Sequence, residues 1–231
     1  MADLVLYGSP ISPFVRKAEF LLRAKGLEFE SENVNVLGMP DWFLEISPAR
    51  RIPVLRDRRI GSEGVAGTIP DSSAICGFLE QLEPSPAFYP ERAHDRGRSL
   101  WYEEYADTEL AGLAGMGIFR PLMFPRMQGG ESDLDTARAT FNDELPAKLD
   151  YLEGSLDGRE YLVGDSLSIA DVSVVCILSQ ISLVAHMPDA ARWPSLMALY
   201  ERVSTQPAMA ANLETCARML GKVVPEKFDL S

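Results

Sequence analysis

Short strand patterns alternate with amphipathic helix patterns at the start of this chain, over residues 1–83. The run LVLY, Leu4–Tyr7, is apolar throughout and predicts a buried strand. From Pro13 the apolar residues recur at helical spacing, and this pattern stops at Gly26, a residue that commonly ends helices. A strand followed at once by a helix is typical of a chain that goes on to form a parallel strand pair.

The alternation continues with three further strand signals and a second helix. FESENVNV, Phe29–Val36, resembles a strand, and IPVLRD predicts another that starts at Pro53, where a strand tolerates proline. The turn-rich stretch 57–70 has room for a short fourth strand, and DSSAICGFLEQL then predicts a capped amphipathic helix over 71–82. The order βαβ followed by ββα predicts an α/β domain, residues 1–83, whose sheet contains parallel and antiparallel pairs.

The rest of the chain carries helix signals almost exclusively. Residues 84–97 contain three prolines and predict a linker, which leaves 98–231 as a separate all-α domain. Its clearest start signal is LSIADV, in which Ser168 and Asp171 have the spacing of a capping box. The residues that follow, VSVVCILSQISLV, are apolar nearly all round, so this helix is expected to be the buried centre of the domain.

Composition excludes several classes of function. The chain has 231 residues and a hydrophobic fraction of 46%, which are typical of a globular protein. Its formal net charge of −12 argues against nucleic acid as a partner. No apolar run approaches the roughly 20 residues of a membrane helix, so a soluble, cytoplasmic protein without membrane contact is expected. The cysteines, Cys76, Cys176 and Cys216, and the histidines, His94 and His186, are far apart in sequence, and no metal site is expected from them.

The segment YGSPISPFVRKAEFLLRAKG places two hydroxyls, Ser9 and Ser12, just before the first helix. Ser12 followed by Pro13 is typical of a helix start, because a serine side chain can accept from an otherwise unpaired amide and proline fits the first turn. Capping of the helix alone would therefore account for a serine at position 12. The alternative is that the hydroxyl of Ser9 or Ser12 takes part in a reaction.

The chain resembles the cytosolic glutathione transferase family over essentially its whole length. Six segments carry the resemblance in the expected order: SPFVRKAEFLLRAKG, ARRIPVL, PDSSAI, FYPERAHDRGRSLWYEEY, YLVGDSLSIADV and RWPSLMALYERVSTQPAM. The resemblance implies a thioredoxin-like N-terminal domain that holds glutathione and a helical domain that supplies most of the pocket for a second, apolar substrate. It also implies a cytoplasmic homodimer with a role in detoxification.

The first helix start is most similar to the tau-like serine classes, in which the serine of SPF faces the glutathione sulfur. Ser12 is the candidate in this register, and Ser9 is the alternative in the register of the zeta class. The omega class has cysteine where Ser12 stands. Lowering a thiol pKa from about 8.5 by about two units requires roughly 2.7 kcal/mol. A hydrogen bond to a charged group contributes about 1.5–3 kcal/mol, and a helix N-terminus about 0.3–1 kcal/mol. One hydroxyl at a helix start is therefore sufficient.

Two further segments imply glutathione contacts. RIPVL is similar to the family's turn with a cis bond between Ile52 and Pro53, which would expose the backbone of Ile52 to the cysteinyl residue of glutathione, as in β-augmentation. PDSSAI is similar to the family's acidic–serine pair. Asp71 would accept from the γ-glutamyl ammonium group, while the Ser72 hydroxyl and the helix amides would hold its carboxylate.

The basic partner of the glycine carboxylate stays open. Arg50 and Arg51 stand where some family members carry a basic residue, and a solvated basic surface is the alternative interpretation. The interval from Pro53 to Ser72 is longer than in typical members, and its extra residues, RDRRIGSEGVAGT, include three more arginines: Arg56, Arg58 and Arg59. The longer hairpin could close over the site, alter a dimer contact or extend into solvent.

The resemblance predicts an enzyme that reacts the glutathione thiolate, as co-substrate, with a small and partly apolar electrophile. The helix pattern of RSLWYEEYADTELAGL is interrupted by the glycines and prolines of GMGIFRPLMFPRMQGG. Candidates for the second-substrate pocket lie on this interrupted helix: Trp101, Tyr105, Phe119 and Met123. The alternatives are a non-catalytic glutathione-binding or scaffold protein of the same fold, and a glutathione-dependent isomerase or ether-cleaving enzyme. A reductase is disfavoured, because no cysteine stands at either candidate serine.

Overall fold

The computed structural model describes residues 2–231, which form two compact units. The first unit ends at Ala87, and the second runs from Phe88 to Ser231. The first helix of the second unit begins at Ala93, inside the stretch 84–97 that the sequence predicts as a linker. No helix within residues 2–231 is both long enough and apolar enough to cross a bilayer.

A four-stranded mixed sheet forms the centre of the first unit. Its strands are β1 (Leu4–Tyr7), β2 (Phe29–Glu32), β3 (Val54–Asp57) and β4 (Thr68–Pro70). They lie in the order β2-β1-β3-β4, with β1 parallel to β2 and antiparallel to β3, and β3 antiparallel to β4. The predicted mixture of parallel and antiparallel pairs is confirmed. The second strand ends four residues earlier than predicted, at Glu32.

Three helices accompany the sheet: α1 (Pro13–Ala24), α2 (Asp41–Ile46) and α3 (Ser72–Leu82). The helices α1 and α3 pack against each other, and their predicted positions are confirmed. The short helix α2 was not predicted. Its Phe43 and Ile46 join Val5, Tyr7 and Val54 in a buried cluster, so this helix closes part of the core.

Arg56 holds the longer hairpin between β3 and β4 in one shape. The residue is 5% exposed. Its guanidinium group donates to the backbone oxygens of Ala66 at 2.7 Å, Gly64 at 2.7 Å and Gly61 at 3.3 Å. These carbonyls would otherwise lack partners in a loop without regular structure, so one buried cation replaces the backbone pairing of a sheet.

Lys25, which follows α1, fixes the chain that leaves α3. Its side chain is fully buried, and Nζ lies 2.8 Å from a carboxylate oxygen of Glu80. The same ammonium group donates to the backbone oxygens of Glu83 and Pro86, each at 2.7 Å. Three acceptors match the three N–H groups of a lysine, which is the condition for keeping such a charge out of water.

The second unit is entirely helical apart from its connections. Its α-helices are α4 (Ala93–Tyr105), α5 (Arg120–Met127), α6 (Leu134–Ala139), α7 (Leu145–Leu156), α8 (Ile169–Ser182), α9 (Pro194–Ser204) and α10 (Pro207–Leu220). Wider π-helical turns occupy Ala106–Leu110, Gly112–Phe119 and Thr140–Glu144.

The glycines and prolines of residues 115–130 predicted an interruption of the first long helix, and for residues 115–127 this was wrong. The chain stays helical from Ala93 to Met127, because it passes through wide π turns where the glycines stand. One glycine is required by packing: a Cβ on Gly117 would lie 2.5 Å from Cγ2 of Thr140. The two helical segments therefore approach more closely than any other residue at this position would allow.

The helix α8 is the buried centre of the second unit, as predicted. Every residue from Ile169 to Ile181 is buried. The predicted capping box is present, with the Asp171 carboxylate accepting from the backbone N–H of Ser168 at 2.9 Å. Asp171 also accepts from the N–H of Leu162 at 2.8 Å, so it ties the preceding loop to the helix start.

Candidate functional site

The strand register brings the three predicted glutathione-binding segments to one end of the sheet. Tyr7, the last residue of β1, pairs with Val54, the first of β3, and Val54 pairs with Pro70, the last of β4. Neighbouring strands lie about 4.8 Å apart, so the three chain ends span about 10 Å. At this end of the sheet, the segment of Ser9 and Ser12 follows β1, the turn of Ile52 and Pro53 precedes β3, and the segment of Asp71 follows β4.

Gly8 shows how closely two of these segments approach. Its backbone has φ +146°. A Cβ at this position would lie 2.6 Å from Cγ2 of Val15 on α1 and 3.2 Å from Cβ of Ile52. The absence of a side chain at Gly8 therefore allows the start of α1 and the Ile-Pro turn to pack against the end of β1.

Ser12 occupies the N-cap position of α1 with Pro13 as the first helical residue, as predicted. Its backbone, at φ −66° and ψ 129°, donates to the carbonyl of Ser9 at 3.0 Å and accepts from the N–H of Arg16 at 2.9 Å. The hydroxyl makes no capping hydrogen bond. Both Ser9 and Ser12 are half-buried. Capping by the side chain therefore does not account for Ser12, and its hydroxyl is available to a ligand.

The peptide bond between Ile52 and Pro53 is cis, as predicted. Within residues 2–231 neither the N–H nor the C=O of Ile52 has a hydrogen-bond partner. The preceding loop is held by Ser47, whose hydroxyl donates to the carbonyl of Arg51 at 2.7 Å and accepts from its N–H at 3.1 Å. A fixed loop thus presents an unpaired peptide group beside the serine segment.

Asp71 is the N-cap of α3. One of its carboxylate oxygens accepts from the N–H groups of Ser73 at 2.9 Å and Ala74 at 3.0 Å, and its backbone has φ 149°. The cap therefore uses two of the helix amides that the sequence interpretation assigned to a ligand carboxylate. Asp71 is exposed and Ser72 is buried, at 5% exposure. The second carboxylate oxygen of Asp71 accepts no hydrogen bond from the described chain.

The arginines of the hairpin all have protein partners. Arg56 binds the loop carbonyls. Arg58 lies 2.8 Å from a carboxylate oxygen of Glu30, and Arg59 lies 2.6 Å from one of Asp57. Hydrogen bonds from Arg59 outweigh burial and lower the pKa of Asp57, so this pair is ionised at neutral pH. Of the basic candidates for the glycine carboxylate, Arg50 and Arg51 are exposed, and their side chains have no ion-pair or hydrogen-bond partner in the part of the chain described.

One polar contact near Asp71 was missed from the sequence. The ammonium group of Lys17 on α1 lies 3.2 Å from the hydroxyl of Ser73 on α3. Lys17 is 1% exposed. The sequence offered a weak signal, because a lysine stands where the helix pattern of α1 requires a buried residue.

Trp101 and Tyr105, two second-substrate candidates, belong to an aromatic cluster with Tyr151 of α7. The indole N–H of Trp101 donates to the Tyr151 hydroxyl at 2.7 Å, and the Tyr105 and Tyr151 rings lie 4.7 Å apart. Trp101 is 45% exposed, whereas Tyr105 is 8% exposed. Burial raises the pKa of Tyr105 to about 12, so its phenol is protonated at neutral pH.

The other two candidates lie outside this cluster. Phe119, at the end of a π-helical segment, is 7% exposed, and Met123 on α5 is fully buried. Neither makes a ring contact with Trp101 or Tyr105. Met123 exposes no surface in this structure, so contact with a ligand would require its neighbours to move.

A mixed four-stranded sheet with three helices, followed by an all-helical unit, defines a thioredoxin-like domain joined to an all-α C-terminal domain. Residues 6–87 match the family model of the glutathione S-transferase N-terminal domain, and residues 121–215 match that of the C-terminal domain. The chain therefore belongs to the cytosolic glutathione transferase family.

Individual relatives agree with this assignment. The chain is 28% identical to glutathione S-transferase D6 of Drosophila melanogaster over 81% of its own length and 84% of that protein. It is 27% identical to FtsZ-localized protein A of Caulobacter vibrioides, over 80% of each chain. The crystal structure of a glutathione S-transferase from Rhodospirillum rubrum superposes with a TM-score of 0.74 and 25% identity, covering 90% of this chain and 91% of the other.

Proposed function

We propose that this protein is a glutathione transferase whose Ser12 hydroxyl donates a hydrogen bond to the glutathione sulfur and stabilises its thiolate. The thiolate then attacks a small, partly apolar electrophile, so that a carbon–sulfur bond forms as the bond to the leaving group breaks; with an aryl or alkyl halide the leaving group is the halide ion. The rate gain comes from the larger thiolate population and from placement of the thiolate beside the acceptor. Glutathione is consumed as a co-substrate, and the mechanism assigns no role to a metal ion.

The observation that carries this proposal is the uncommitted hydroxyl of Ser12 at the end of the sheet where the Ile-Pro turn and the Asp71 segment also begin. A serine at an N-cap position ordinarily uses its side chain to accept from the helix. Here it does not, and it stands at the positive end of the α1 dipole. A hydroxyl in that position can donate to an anion. Ser9, three residues earlier, is the alternative donor.

The remaining glutathione contacts follow from groups with unused hydrogen-bonding capacity. The unpaired peptide of Ile52, before Pro53, would pair with the cysteinyl backbone. The second carboxylate oxygen of Asp71 would accept from the γ-glutamyl ammonium group, and the Ser72 hydroxyl would donate to the neighbouring carboxylate. Arg51 would bind the glycine carboxylate, because the hairpin arginines are already paired.

The second substrate would contact the aromatic side chains of the helical unit, foremost Trp101 and Tyr105. Phe119 and Met123 complete the proposed pocket only if their surroundings rearrange on binding. The family's usual organisation also suggests a cytoplasmic homodimer with a role in detoxification, and both are part of the proposal.

A glutathione-binding protein without turnover is the second candidate. It is favoured by the similarity to FtsZ-localized protein A, a family relative whose name describes a location rather than a transferase activity. Asp71, Ser72 and the Ile-Pro turn would serve such a protein equally well. Isomerase or ether-cleaving chemistry remains an enzyme alternative, because both need the same thiolate.

The decisive experiment measures the thiol pKa of bound glutathione from the ultraviolet absorbance of its thiolate. Wild type is compared with Ser12→Ala, Ser9→Ala and a control, Ser31→Ala, which removes an exposed hydroxyl from β2. We expect Ser12→Ala to raise the thiol pKa by about one to two units, the equivalent of one hydrogen bond to a charged group. The control should leave the pKa unchanged.

The outcomes separate the candidates. An effect of Ser9→Ala alone would transfer the role to Ser9, and no effect of either variant would disprove thiolate stabilisation by serine. Retention on immobilised glutathione together with a lowered thiol pKa but no conjugation of aryl or alkyl halides would favour the non-catalytic protein.

A further inference from the structure

A pocket of about 510 Å³ lies in the second unit, where the C-terminal residues 225–229 meet α5 and α6. Pockets for small molecules in proteins span about 300–1,000 Å³. The residues that line it are remote in sequence from every segment assigned to glutathione, and the proposed function gives it no role.

The C-terminal wall of this pocket is held in place by hydrogen bonds. The N–H of Phe228 donates to the carbonyl of Val184 at 2.9 Å, and the N–H of His186 donates to the carbonyl of Phe228 at 3.0 Å. The side-chain amide of Asn142 donates to the carbonyl of Leu230 at 2.8 Å. The tail is thus attached at Phe228 and at Leu230, so the pocket has a fixed wall before a ligand arrives.

Three cationic side chains line the pocket: Arg126, Arg138 and Lys227. Nε of Arg126 donates to the hydroxyl of Ser132 at 2.9 Å, which orients the guanidinium group and leaves its terminal nitrogens unused. None of the three forms an ion pair within the described chain. Their hydrogen-bond donors are therefore available to an anion.

Two acids, Glu226 and Asp229, share the lining. The pKa of Asp229 is lowered mainly by hydrogen bonds from Ser231, and to a smaller extent by His186 and Arg138 through charge. Asp229 is therefore ionised at neutral pH. With three cations and two carboxylates, the pocket has an excess of one positive charge. The whole chain has a net charge of −12, so the pocket lining is positive in a protein that is negative overall.

Apolar surface completes the lining, from Leu134, Pro225 and Phe228. The guanidinium carbon of Arg126 lies 5.1 Å from the centre of the Phe228 ring, so charged and apolar surface are adjacent. Leu134 and Phe228 are half-buried and keep part of their surface open to the pocket.

We propose that this pocket binds a small organic monoanion, a carboxylate attached to a compact aromatic or branched aliphatic group. The single excess positive charge selects a singly charged ligand, the arginine nitrogens bind its carboxylate, and the apolar wall covers its hydrocarbon part. The site is separate from the proposed glutathione site and does not depend on it.

The test uses the full chain and para-fluorobenzoate, observed by fluorine NMR, with para-fluorobenzamide as the uncharged counterpart. We expect saturable binding of the carboxylate and at least about tenfold weaker binding of the amide. Arg138→Gln should weaken carboxylate binding about tenfold, as expected for loss of a charge-assisted hydrogen bond. The matched control is Arg92→Gln, which removes the same charge from a side chain that is 83% exposed and outside the pocket.

A second variant guards against a merely structural effect. Glu226→Gln removes an exposed carboxylate from the lining and should tighten carboxylate binding about two- to threefold, because it removes a repulsive charge. Ser12→Ala should leave probe binding unchanged. Absence of saturable binding, equal losses in Arg138→Gln and Arg92→Gln, weaker binding in Glu226→Gln, or loss of binding in Ser12→Ala would each overturn the proposal.

Discussion

Asp171 is a carboxylate that the fold removes from water, since its side chain is fully buried at the start of α8. Burial raises its pKa to about 6, and the hydrogen bonds from Leu162 and Ser168 offset only part of that rise. The charged form satisfies the backbone N–H groups, while the low polarity of the surroundings favours the protonated form. One residue therefore serves as a cap and as a titrating group inside the core.

The raised pKa has a consequence for stability. An aspartate in the unfolded chain titrates near pH 3.9, and Asp171 in the folded protein titrates near pH 6. Its contribution to the free energy of unfolding is therefore complete below about pH 4 and declines as the pH rises to about 6, by about 3 kcal/mol in total. Above pH 6 the contribution of this group no longer changes.

Asp171→Asn tests that sign. Urea unfolding of wild type and variant between pH 4 and pH 7 isolates the titration of this side chain. We expect the stability advantage of wild type over the variant to shrink as the pH rises through the window of about 4 to 6. An advantage that grows with pH would mean that the hydrogen bonds outweigh burial.

At the scale of elements, the hairpin between β3 and β4 depends on Arg56. Arg56→Met leaves the carbonyls of Gly61, Gly64 and Ala66 without their donor, and should lower the free energy of unfolding by about 2–4 kcal/mol. It should also speed cleavage by a glutamate-specific protease after the exposed Glu63.

Arg58→Met is the control for the hairpin. Arg58 pairs with Glu30 at the surface, where such a pair contributes about 0–1 kcal/mol. Equal effects of the two variants on cleavage would show that Arg56 does not organise the loop.

The close approach of the π-helical segment 112–119 to Thr140 gives a second prediction for an element. Gly117→Ala places a Cβ 2.5 Å from Thr140 and should cost about 1–3 kcal/mol of stability. Thr140→Ala in the same chain should restore part of that loss, because the two positions are in contact. In Gly115→Ala the added Cβ would meet no atom of residues 2–231 within 4 Å apart from its own helical turn, so this variant should instead stabilise the helix by about 0.5–1 kcal/mol. Thermal unfolding of the four proteins measures these differences, and equal effects at both glycines would rule out the packing explanation.

Elements with strong local signals could be predicted from the sequence, and elements set by long-range packing could not. The helix α1 has a serine–proline start and a glycine stop, and α8 has a capping box. The helix α2 has only six residues, and its two buried side chains become informative only beside the sheet. The glycines near Gly117 favour a break in isolation, whereas in the structure the segment stays helical and Gly117 allows close packing against Thr140.

The candidate site was predictable to a similar extent. The Ile52–Pro53 turn and the position of Ser12 followed from resemblance and local pattern. The partners of the hairpin arginines depend on the shape of the loop, and the sequence therefore left Arg56 as a candidate for ligand binding. The use of the Asp71 carboxylate as a helix cap is likewise visible only in the geometry.

The whole molecule is expected to be a homodimer. Large apolar side chains are exposed on the first unit, including Leu37 at 72%, Ile60 at 68% and Val65 at 62%, and removing such side chains from water would favour association. One chain has a mass of 25.5 kDa, so light scattering at neutral pH should give about twice that value. A mass that stays at one chain over a wide concentration range would disprove the dimer.

The hydrogen bonds of Lys25 also show how far along the chain the first unit extends. Its acceptors continue beyond α3 to the carbonyl of Pro86. A foreign sequence inserted after Ala87 would leave all three acceptors of Lys25 in place. An insertion after Leu82 would instead separate the carbonyls of Glu83 and Pro86 from the buried ammonium group. Position 87 is therefore a suitable place to split this protein or to insert another domain, and the last turn of α3 is not.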